Sequence, residues 1–298
     1  LKRALEGREY LLVDGATGTQ MQERGLDALE AVPELLCKTH ADDITAIHAS
    51  YIAAGAEVIT TNTFSANRLK LGDKMSVEEA YRRAADCARA AGAPYIAGDI
   101  GPTGSLLEPM GTLSFDEAYD IFAEQVRAAV AAECDIILIE TMADLREAKA
   151  ALLAARENST LPVFVTMTFG EDGRTFLGTT PAIAAEVLSS LGAQAVGFNC
   201  SLGPQELLPL ARQLRESTSL PIFLKPNAGL PDPQTGHYHI SQEIFAQALE
   251  EYLPLGIHLF GGCCGTDPSF LAAVHRMLSH HTPSPSPARP LRIPCVCT

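Results

Sequence analysis

The sequence has little positive charge. Its 298 residues include 22 lysines and arginines against 36 aspartates and glutamates, which gives a formal net charge of −14. Such an acidic chain has no basic surface for a phosphate backbone, so we do not expect nucleic acid as a partner. No apolar run approaches the ~20 residues that cross a bilayer, and the first residues lack the apolar core of a signal peptide. We therefore expect a cytoplasmic protein with reduced thiols and no membrane partner.

Three common site motifs are missing as well. Without a spaced Cys-x-x-Cys pair, a purely structural zinc ribbon is not indicated. Without His-Glu-x-x-His, the histidines do not suggest a metal site. The first predicted strand is not followed by Gly-x-Gly-x-x-Gly, which weakens the case for a doubly wound, dinucleotide-binding sheet.

Short β-rich segments recur along the whole chain, and most are nearly continuous apolar runs of the kind found in strands covered on both faces. They occupy residues 10–16, 57–64, 95–101, 135–141, 163–169, 195–201, 222–229 and 258–265. Helical segments fill the gaps between them. Eight strands alternating with helices predict an α/β fold, a closed parallel (β/α)8 TIM barrel, with a doubly wound open sheet as the alternative.

Four helix starts are marked by capping residues. Ser76 with Glu79, and Ser114 with Glu117, have the spacing of a capping box. Thr180 precedes a proline at the first helical position, and Asp267 does the same. These signals set the boundaries of the helices that are expected to surround the barrel.

The chain divides into a predicted barrel over residues 1–282 and a Pro- and Ser-rich tail over 283–298. The composition of the tail predicts an extended linker toward possible further domains. Cys295 and Cys297 lie in this tail and are expected to be incidental. Residues 229–241 are predicted to form a loop or hairpin inserted after the seventh strand.

Polar side chains stand at the end of nearly every predicted strand. In a barrel of this kind the chemistry lies at the carboxyl ends of the strands, and buried polar groups need partners. A ligand site on this rim is therefore expected, although a hydrogen-bonded network that only closes the barrel is the alternative. The residues are Asp14, Asn62, Asp99, Glu140, Asn199, Cys200, Asn227, Cys263 and Cys264.

The adjacent pair Cys263–Cys264 lies in the glycine-rich segment FGGCCGTDP. It could form a strained disulfide between neighbours, two inert buried thiols or a pair of metal ligands. Because Cys200 ends the sixth strand and the pair ends the eighth, a closed barrel would bring the three sulfurs together. Three thiolates suit Zn²⁺ and leave its fourth position open, as in catalytic sites, so metal ligation is the favoured interpretation.

A zinc ion held by three thiolates would activate water poorly, but it could bind an incoming thiol and favour the ionised form. The expected chemistry is therefore alkylation of a substrate thiol. Asp14 and Glu140 could hold an ammonium group, and the backbone N–H groups after Asp14 could receive a carboxylate. A small amino-acid thiol fits these features.

Several motifs occur in an order that resembles one family. DGATGT, TNTF, GDIGPTG, FNCSLGP, KPNAG and GGCCGTDP, between about residues 10 and 278, are similar to the homocysteine S-methyltransferases. The resemblance implies a TIM barrel whose zinc ligands are Cys200, Cys263 and Cys264, and which converts homocysteine to methionine.

The resemblance also implies the roles of the residues around the metal. Asp14 and Glu140 would hold the homocysteine amine, and the backbone of Gly15, Ala16 and Thr17 would receive its carboxylate. The asparagines that flank the metal, Asn199 and Asn227, would contact the substrate, support the metal ligands or act as weak metal partners.

Within the family, the motifs look most like those of the cobalamin-dependent members. In these, methylcobalamin on another domain of the same chain donates the methyl group and is recharged from methyltetrahydrofolate. Cobalamin- and folate-binding domains are therefore expected partners. S-methylmethionine and betaine, used by free-standing relatives, are the alternative donors.

Two other functions stay open at the level of the sequence. Lys225, next to the PNAG segment, could act as a Schiff-base nucleophile, but this leaves the three cysteines without a role. A non-catalytic binding barrel, in which zinc only closes the rim, would also fit the cysteines.

Overall fold

The computed structural model describes residues 1–26, 32–232, 234–235 and 238–284. Within these residues, eight parallel strands follow the order of the predicted segments; β4 has its predicted length, shifted by one residue, and the other seven are shorter than predicted. Their bounds are β1 Leu11–Leu12, β2 Val58–Thr60, β3 Tyr95–Ile100, β4 Ile136–Met142, β5 Val163–Met167, β6 Ala195–Asn199, β7 Ile222–Lys225 and β8 Leu259–Phe260.

Helices lie between the strands and cover the outside of the sheet. The α-helices are α1 Lys2–Leu5, α2 Thr17–Glu23, α3 Leu36–Thr39, α4 Ala41–Ala53, α5 Arg68–Leu71, α6 Val77–Ala90, α7 Phe115–Ala131, α8 Leu145–Asn158, α9 Pro181–Ser190, α10 Pro204–Ser217, α11 Gln242–Glu250 and α12 Pro268–Ser279. Short 3₁₀ helices span Pro33–Leu35 and Leu253–Leu255.

The sheet closes on itself. Each strand pairs with its neighbours in the order β1-β8-β7-β6-β5-β4-β3-β2. The two end strands meet through a parallel bridge between Val13 and Val58, with Asp14 N donating to Val58 O at 3.0 Å. The predicted TIM barrel is therefore confirmed, and the open doubly wound sheet is excluded.

Alternate residues of each strand point into the barrel, because successive side chains of a strand face opposite sides. An apolar interior cluster contains Val58, Ala97, Leu138, Phe164 and Phe223. Two residues further along each of these strands the side chain is polar, and all of these polar side chains are buried. They are Thr60, Asp99, Glu140, Thr166 and Lys225. The barrel thus has an apolar floor and a polar upper layer at its carboxyl end.

The helix starts agree with the sequence signals except at one residue. Ser114 and Glu117 form both bonds of a capping box, and Thr180 and Asp267 cap their helices as expected. Ser76 accepts from Glu79 N at 3.1 Å, but the Glu79 carboxylate instead binds Arg83 Nε at 2.7 Å. The capping box of Ser76 and Glu79 is therefore only half formed, because Arg83, one turn later, binds the Glu79 carboxylate.

Three predictions concern regions outside the barrel. No helix in the described ranges is long and apolar enough to cross a membrane. The predicted linker lies outside the described residues from position 285 onward, and so do Cys295 and Cys297. The described part of the 229–241 insertion contains no strand, so the hairpin alternative is not supported there.

Candidate metal and substrate site

Three cysteine sulfurs meet at the carboxyl end of the barrel. The Sγ atoms of Cys200, Cys263 and Cys264 all lie within 4.8 Å of one another, and those of Cys200 and Cys264 are 3.8 Å apart. All three cysteines are free, so a disulfide between the neighbours is not formed. A tetrahedral ion with metal–sulfur bonds of ~2.3 Å would place its sulfurs about 3.8 Å apart. The geometry therefore fits a metal such as zinc.

The end of β7 holds both cysteine segments in place, because this strand lies between β6 and β8. Cys200 N donates to Lys225 O at 3.2 Å, and Cys263 N donates to Pro226 O at 2.8 Å. Ala228 N donates to Cys264 O at 2.9 Å. The KPNA segment thus forms backbone hydrogen bonds with all three cysteines, which explains how residues 63 positions apart in sequence come together.

The backbone around the sulfurs adopts unusual conformations. Cys200 and Ser201 both have φ of +60°, a left-handed conformation that costs free energy for residues other than glycine. Gly265, directly after the cysteine pair, has φ of +78°, and a Cβ there would lie 2.4 Å from the ring of Tyr238. Glycine is therefore required at 265 both by its dihedral angle and by the tyrosine.

The thiols cannot all ionise without a cation. Hydrogen bonds from Cys263 and Cys264 lower the pKa of Cys200, and the same contacts with Cys200 raise the pKa of Cys263. These contacts therefore favour ionisation of the Cys200 thiol over that of Cys263. Metal binding would displace the remaining protons, as expected for a site of this type.

The acidic end of the site contains Asp14 and Glu140, with a lysine between them. Lys225 Nζ lies 3.2 Å from Glu140 Oε2 and 3.7 Å from Asp14 Oδ1. Asp14 Oδ2 also accepts from Thr60 N at 2.8 Å and from Thr60 Oγ1 at 2.9 Å. Burial raises the pKa of Asp14 to about 6, against the opposing effects of Lys225 and Thr60.

Lys225 is charged in this environment. Burial alone would lower the pKa of its ammonium, but the negative charges of Glu140 and Asp14 outweigh burial and raise the pKa. Gly261 makes room for the side chain, since a Cβ at 261 would lie 2.9 Å from Lys225 Cγ. A charged amine in this position is a poor nucleophile, which argues against the Schiff-base alternative.

Asp99 completes the acidic end from β3. Its Oδ1 is buried without a hydrogen-bond partner among the described atoms. Burial, and then the charge of Glu140, raises the pKa of Asp99 well above its usual range. Burial therefore favours the protonated form of Asp99 in this cluster.

Asn199 connects three strands beside Glu140. Its Oδ1 accepts from Thr141 N and from Thr166 Oγ1, both at 2.8 Å, and its Nδ2 donates to Thr141 Oγ1 at 2.7 Å. Thr141 has φ of +62°, so these bonds hold a strained backbone next to Glu140. The protein itself uses the amide oxygen twice and one amide proton, which makes Asn199 a support for Glu140.

The remaining predicted residues line or flank the same space. Asn227 is buried and lowers the pKa of Cys200 through a hydrogen bond, while its Oδ1 has no partner among the described atoms. Gly15, Ala16 and Thr17 line the cavity at the start of α2, and Ala16 N donates weakly to Thr266 O at 3.3 Å. A Cβ on Gly15 would lie 2.8 Å from the Tyr51 ring, so this glycine permits close packing.

One cavity of about 710 Å³ joins the two ends of the site. The three cysteines, Glu140 and Lys225 all contribute to its lining. This volume lies within the range of small-molecule sites. A ligand could therefore reach the sulfurs and the carboxylates at the same time.

Two lining residues were missed by the sequence reasoning. Tyr238, from the insertion after β7, forms a hydrogen bond with Cys264, and the sequence offers no periodic signal for it. Glu34 is buried at the cavity wall, where Oε1 accepts from Ser65 N at 2.6 Å and Oε2 has no partner among the described atoms. The only sequence feature that could have pointed to Glu34 is its position directly after Pro33. Asn62, a predicted rim residue, lines the same cavity and donates to Pro33 O at 2.9 Å.

A parallel barrel with three converging cysteines and buried carboxylates in one cavity is the arrangement expected of an enzyme that acts on a thiol substrate. Residues 11–278 match the homocysteine S-methyltransferase family, and the chain belongs to that family. The predicted enzyme class is thereby confirmed at the level of the family.

Similar proteins include larger enzymes and a solved barrel. The chain is 32% identical to the methionine synthase of Mycobacterium leprae and 33% identical to that of Mycobacterium tuberculosis, each over 291 residues and 90% of this chain. It spans only 24% of the length of each of these relatives.

The homocysteine methyltransferase MmuM from Escherichia coli has the same fold. Its oxidised form superposes with a TM-score of 0.79 at 21% identity, covering 92% of this chain and 98% of that one. Its metallated form gives a TM-score of 0.75 at 22% identity, covering 90% and 96%.

Proposed function

We propose that this chain binds homocysteine through a zinc ion and activates its thiol for methylation to methionine. The observation that carries the proposal is the meeting of Cys200, Cys263 and Cys264 within 4.8 Å at one end of the same cavity that holds Glu140 and Lys225. Sulfur ligands favour zinc over the hard cations that prefer oxygen. When bound, zinc would supply a cation that keeps a fourth, incoming thiol ionised near neutral pH.

The chain's own residues would bind the rest of the amino acid. Asp14 and Glu140 would accept hydrogen bonds from the α-ammonium group, and the N–H groups of Gly15 to Thr17 would face the carboxylate. Asn199 would keep Glu140 in position through Thr141, and Asn227 would support the Cys200 thiolate. Methyl transfer forms the new S–CH₃ bond as the bond between methyl and donor breaks, and the thiol proton leaves to solvent.

We further propose that the methyl donor is methylcobalamin carried by another domain of a longer chain and recharged from methyltetrahydrofolate. The relatives from Mycobacterium are about four times longer than the aligned region, which leaves length for such domains. S-methylmethionine or betaine is the alternative donor. It is favoured by the likeness to MmuM, because the match covers 98% of the MmuM chain.

Metal content and homocysteine binding together test the activity. Protein purified without chelator should contain about one zinc per chain, and homocysteine should bind with release of a proton at neutral pH, because the thiol must ionise. Cys264→Ser should lose both properties. Cys134→Ser, which alters a buried cysteine between α7 and β4, is the matched control and should keep both. Full metal content in Cys264→Ser would refute the assigned ligands.

A side-by-side assay identifies the donor. Methylcobalamin, S-methylmethionine and betaine should be supplied in turn with homocysteine, and methionine should be measured. We expect turnover with methylcobalamin. Turnover with either of the other two alone would replace that donor, and homocysteine binding without turnover by any donor would favour the non-catalytic barrel.

A further inference from the structure

We propose that Lys225 is a positioning residue that sets the charge of the substrate's ammonium site, so that Asp14 and Glu140 can both act as carboxylates toward a single incoming amine. This inference rests on the proposed binding of an amino-acid thiol. It assigns a role to a buried lysine whose ion pairs the proposed chemistry does not use.

The geometry places one cation between two buried anions. Lys225 Nζ lies within 3.7 Å of a carboxylate oxygen of both Asp14 and Glu140, and the exposed fraction of its side chain is 4%. The exposed fractions of the two carboxylate side chains are only 0% and 10%, so solvent screens them weakly from each other. Without the lysine, two buried carboxylates that both face the position of its ammonium group could not both stay ionised at neutral pH.

The charge of the cluster then matches one ammonium group. The groups that face Lys225 are Asp14 from β1, Asp99 from β3, Glu140 from β4 and Cys263 after β8. Asp99 Oδ1 has no hydrogen-bond partner among the described atoms, and burial raises the pKa of Asp99 and so favours its protonated form; Cys263 belongs to the thiol cluster. Two carboxylates and one lysine leave a single negative charge, which the substrate's ammonium neutralises.

The consequence is a difference in proton balance. In the wild type, an amine entering the site finds both carboxylates already ionised, so this end of the site releases no proton. In Lys225→Met, one carboxylate should carry a proton at neutral pH and lose it when the amine binds. At pH values above the Asp14 pKa of about 6, the substitution thus converts a pH-independent binding step into one that releases a proton.

The experiment is calorimetric titration of the intact, metal-containing protein with L-methionine, in buffers of different ionisation enthalpy. A thioether carries no proton, so the count reports the acidic end alone. We expect close to zero protons released by the wild type and close to one by Lys225→Met. As the pH rises toward the pKa of the protonated carboxyl group, the affinity of Lys225→Met for L-methionine should increase about tenfold for each pH unit.

Three comparisons separate this role from a structural one. Lys225→Arg keeps the charge and should behave as the wild type. Lys225→Met combined with Asp14→Asn removes one charge of each sign together with the carboxyl group whose pKa burial raises. It should fold even where the single variant does not, and should release fewer protons than the single variant. With 4-mercaptobutyrate, which lacks the amine, the proton count should be equal in the wild type and Lys225→Met.

The outcomes distinguish the inference from the proposed function. If Lys225→Met binds L-methionine with the proton count and pH profile of the wild type, or if the double variant releases as many protons as the single variant, Lys225 does not set the charge of the site. If the wild type binds neither L-methionine nor L-homocysteine, the proposed function itself is wrong.

Discussion

Asp14 is a carboxyl group with no exposed surface at the centre of the proposed amine site. Thr60 and Lys225 stabilise its charge, yet burial still raises its pKa to about 6. The same residue that would bind the substrate therefore destabilises the folded barrel once it ionises. Buried charged groups at binding sites commonly carry such a cost, because their full partner arrives only with the ligand.

Removing the Asp14 charge should change how stability depends on pH. A carboxyl group whose pKa is higher in the folded state than in the unfolded state lowers the free energy of unfolding as pH rises between the two values. From the unperturbed value of 3.8 to about 6, this effect reaches about 3 kcal/mol. Urea unfolding of the wild type and Asp14→Asn at pH 4 and pH 7 measures it, and the wild type should lose about that amount relative to the variant. A constant difference between the two proteins would contradict the assigned pKa.

Among the elements, the connection from β4 through β6 depends on one asparagine. Asn199→Ala should cost about 3 kcal/mol or more, because it leaves two buried donors and the strained Thr141 backbone without support. Thr166→Val removes only one of the three hydrogen bonds and should cost about 1 kcal/mol. Urea unfolding gives both values, and homocysteine binding should weaken further in Asn199→Ala because Glu140 loses its position. Equal losses in the two variants would mean that Asn199 does not hold Thr141.

The loop that carries Cys263 and Cys264 offers a second test at this scale. Gly265→Ala and Gly25→Ala introduce a Cβ at similar dihedral angles, φ of +78° and +69°, but a Cβ at position 25 meets no described atom within 4 Å. Both should cost about 1–2 kcal/mol in backbone strain. Only Gly265→Ala should also displace Tyr238 and reduce zinc retention against a chelator. Equal zinc retention in both variants would show that the tyrosine contact does not hold the metal loop.

The sequence predicts the positions of the strands better than it predicts the contacts between their side chains. Apolar runs located all eight strands, and Cys200 was joined with Cys263 and Cys264 because a closed barrel brings its strand ends together. A pairing of Lys225 with a rim carboxylate could be expected from the sequence, but its two partners could not be predicted, since they depend on the packing inside the barrel and on the room left by Gly261. Tyr238 was missed because it reaches the cavity from a segment without periodicity.

At the scale of the whole molecule, the loops at the carboxyl end of the barrel carry several exposed apolar side chains, and we call this loop surface the rim. Large side chains that are 37–75% exposed lie on the loops after β2, β3, β5 and β7. They are Phe64, Leu106, Met110, Phe176, Leu177 and Leu230. Exposed apolar side chains grouped around a cavity mark an interaction surface. A donor carried on another protein domain would cover this rim, whereas a small free donor would leave it open to water.

Substitutions in the apolar rim therefore distinguish a donor carried on a protein domain from a small free donor. Met110→Ser combined with Phe176→Ser removes the two most exposed rim side chains, and Ile244→Ser changes a similarly exposed side chain on α11. With methylcobalamin borne on a corrinoid-binding domain, the rim variant should lose at least about tenfold in kcat/KM, since each buried apolar side chain contributes ~1.5–3 kcal/mol. The α11 variant should keep its activity, and homocysteine binding should be unchanged in both, because neither substitution touches the cavity's cysteines or carboxylates. An undiminished rate in the rim variant would mean that no donor domain docks there, and the small donors would then be favoured.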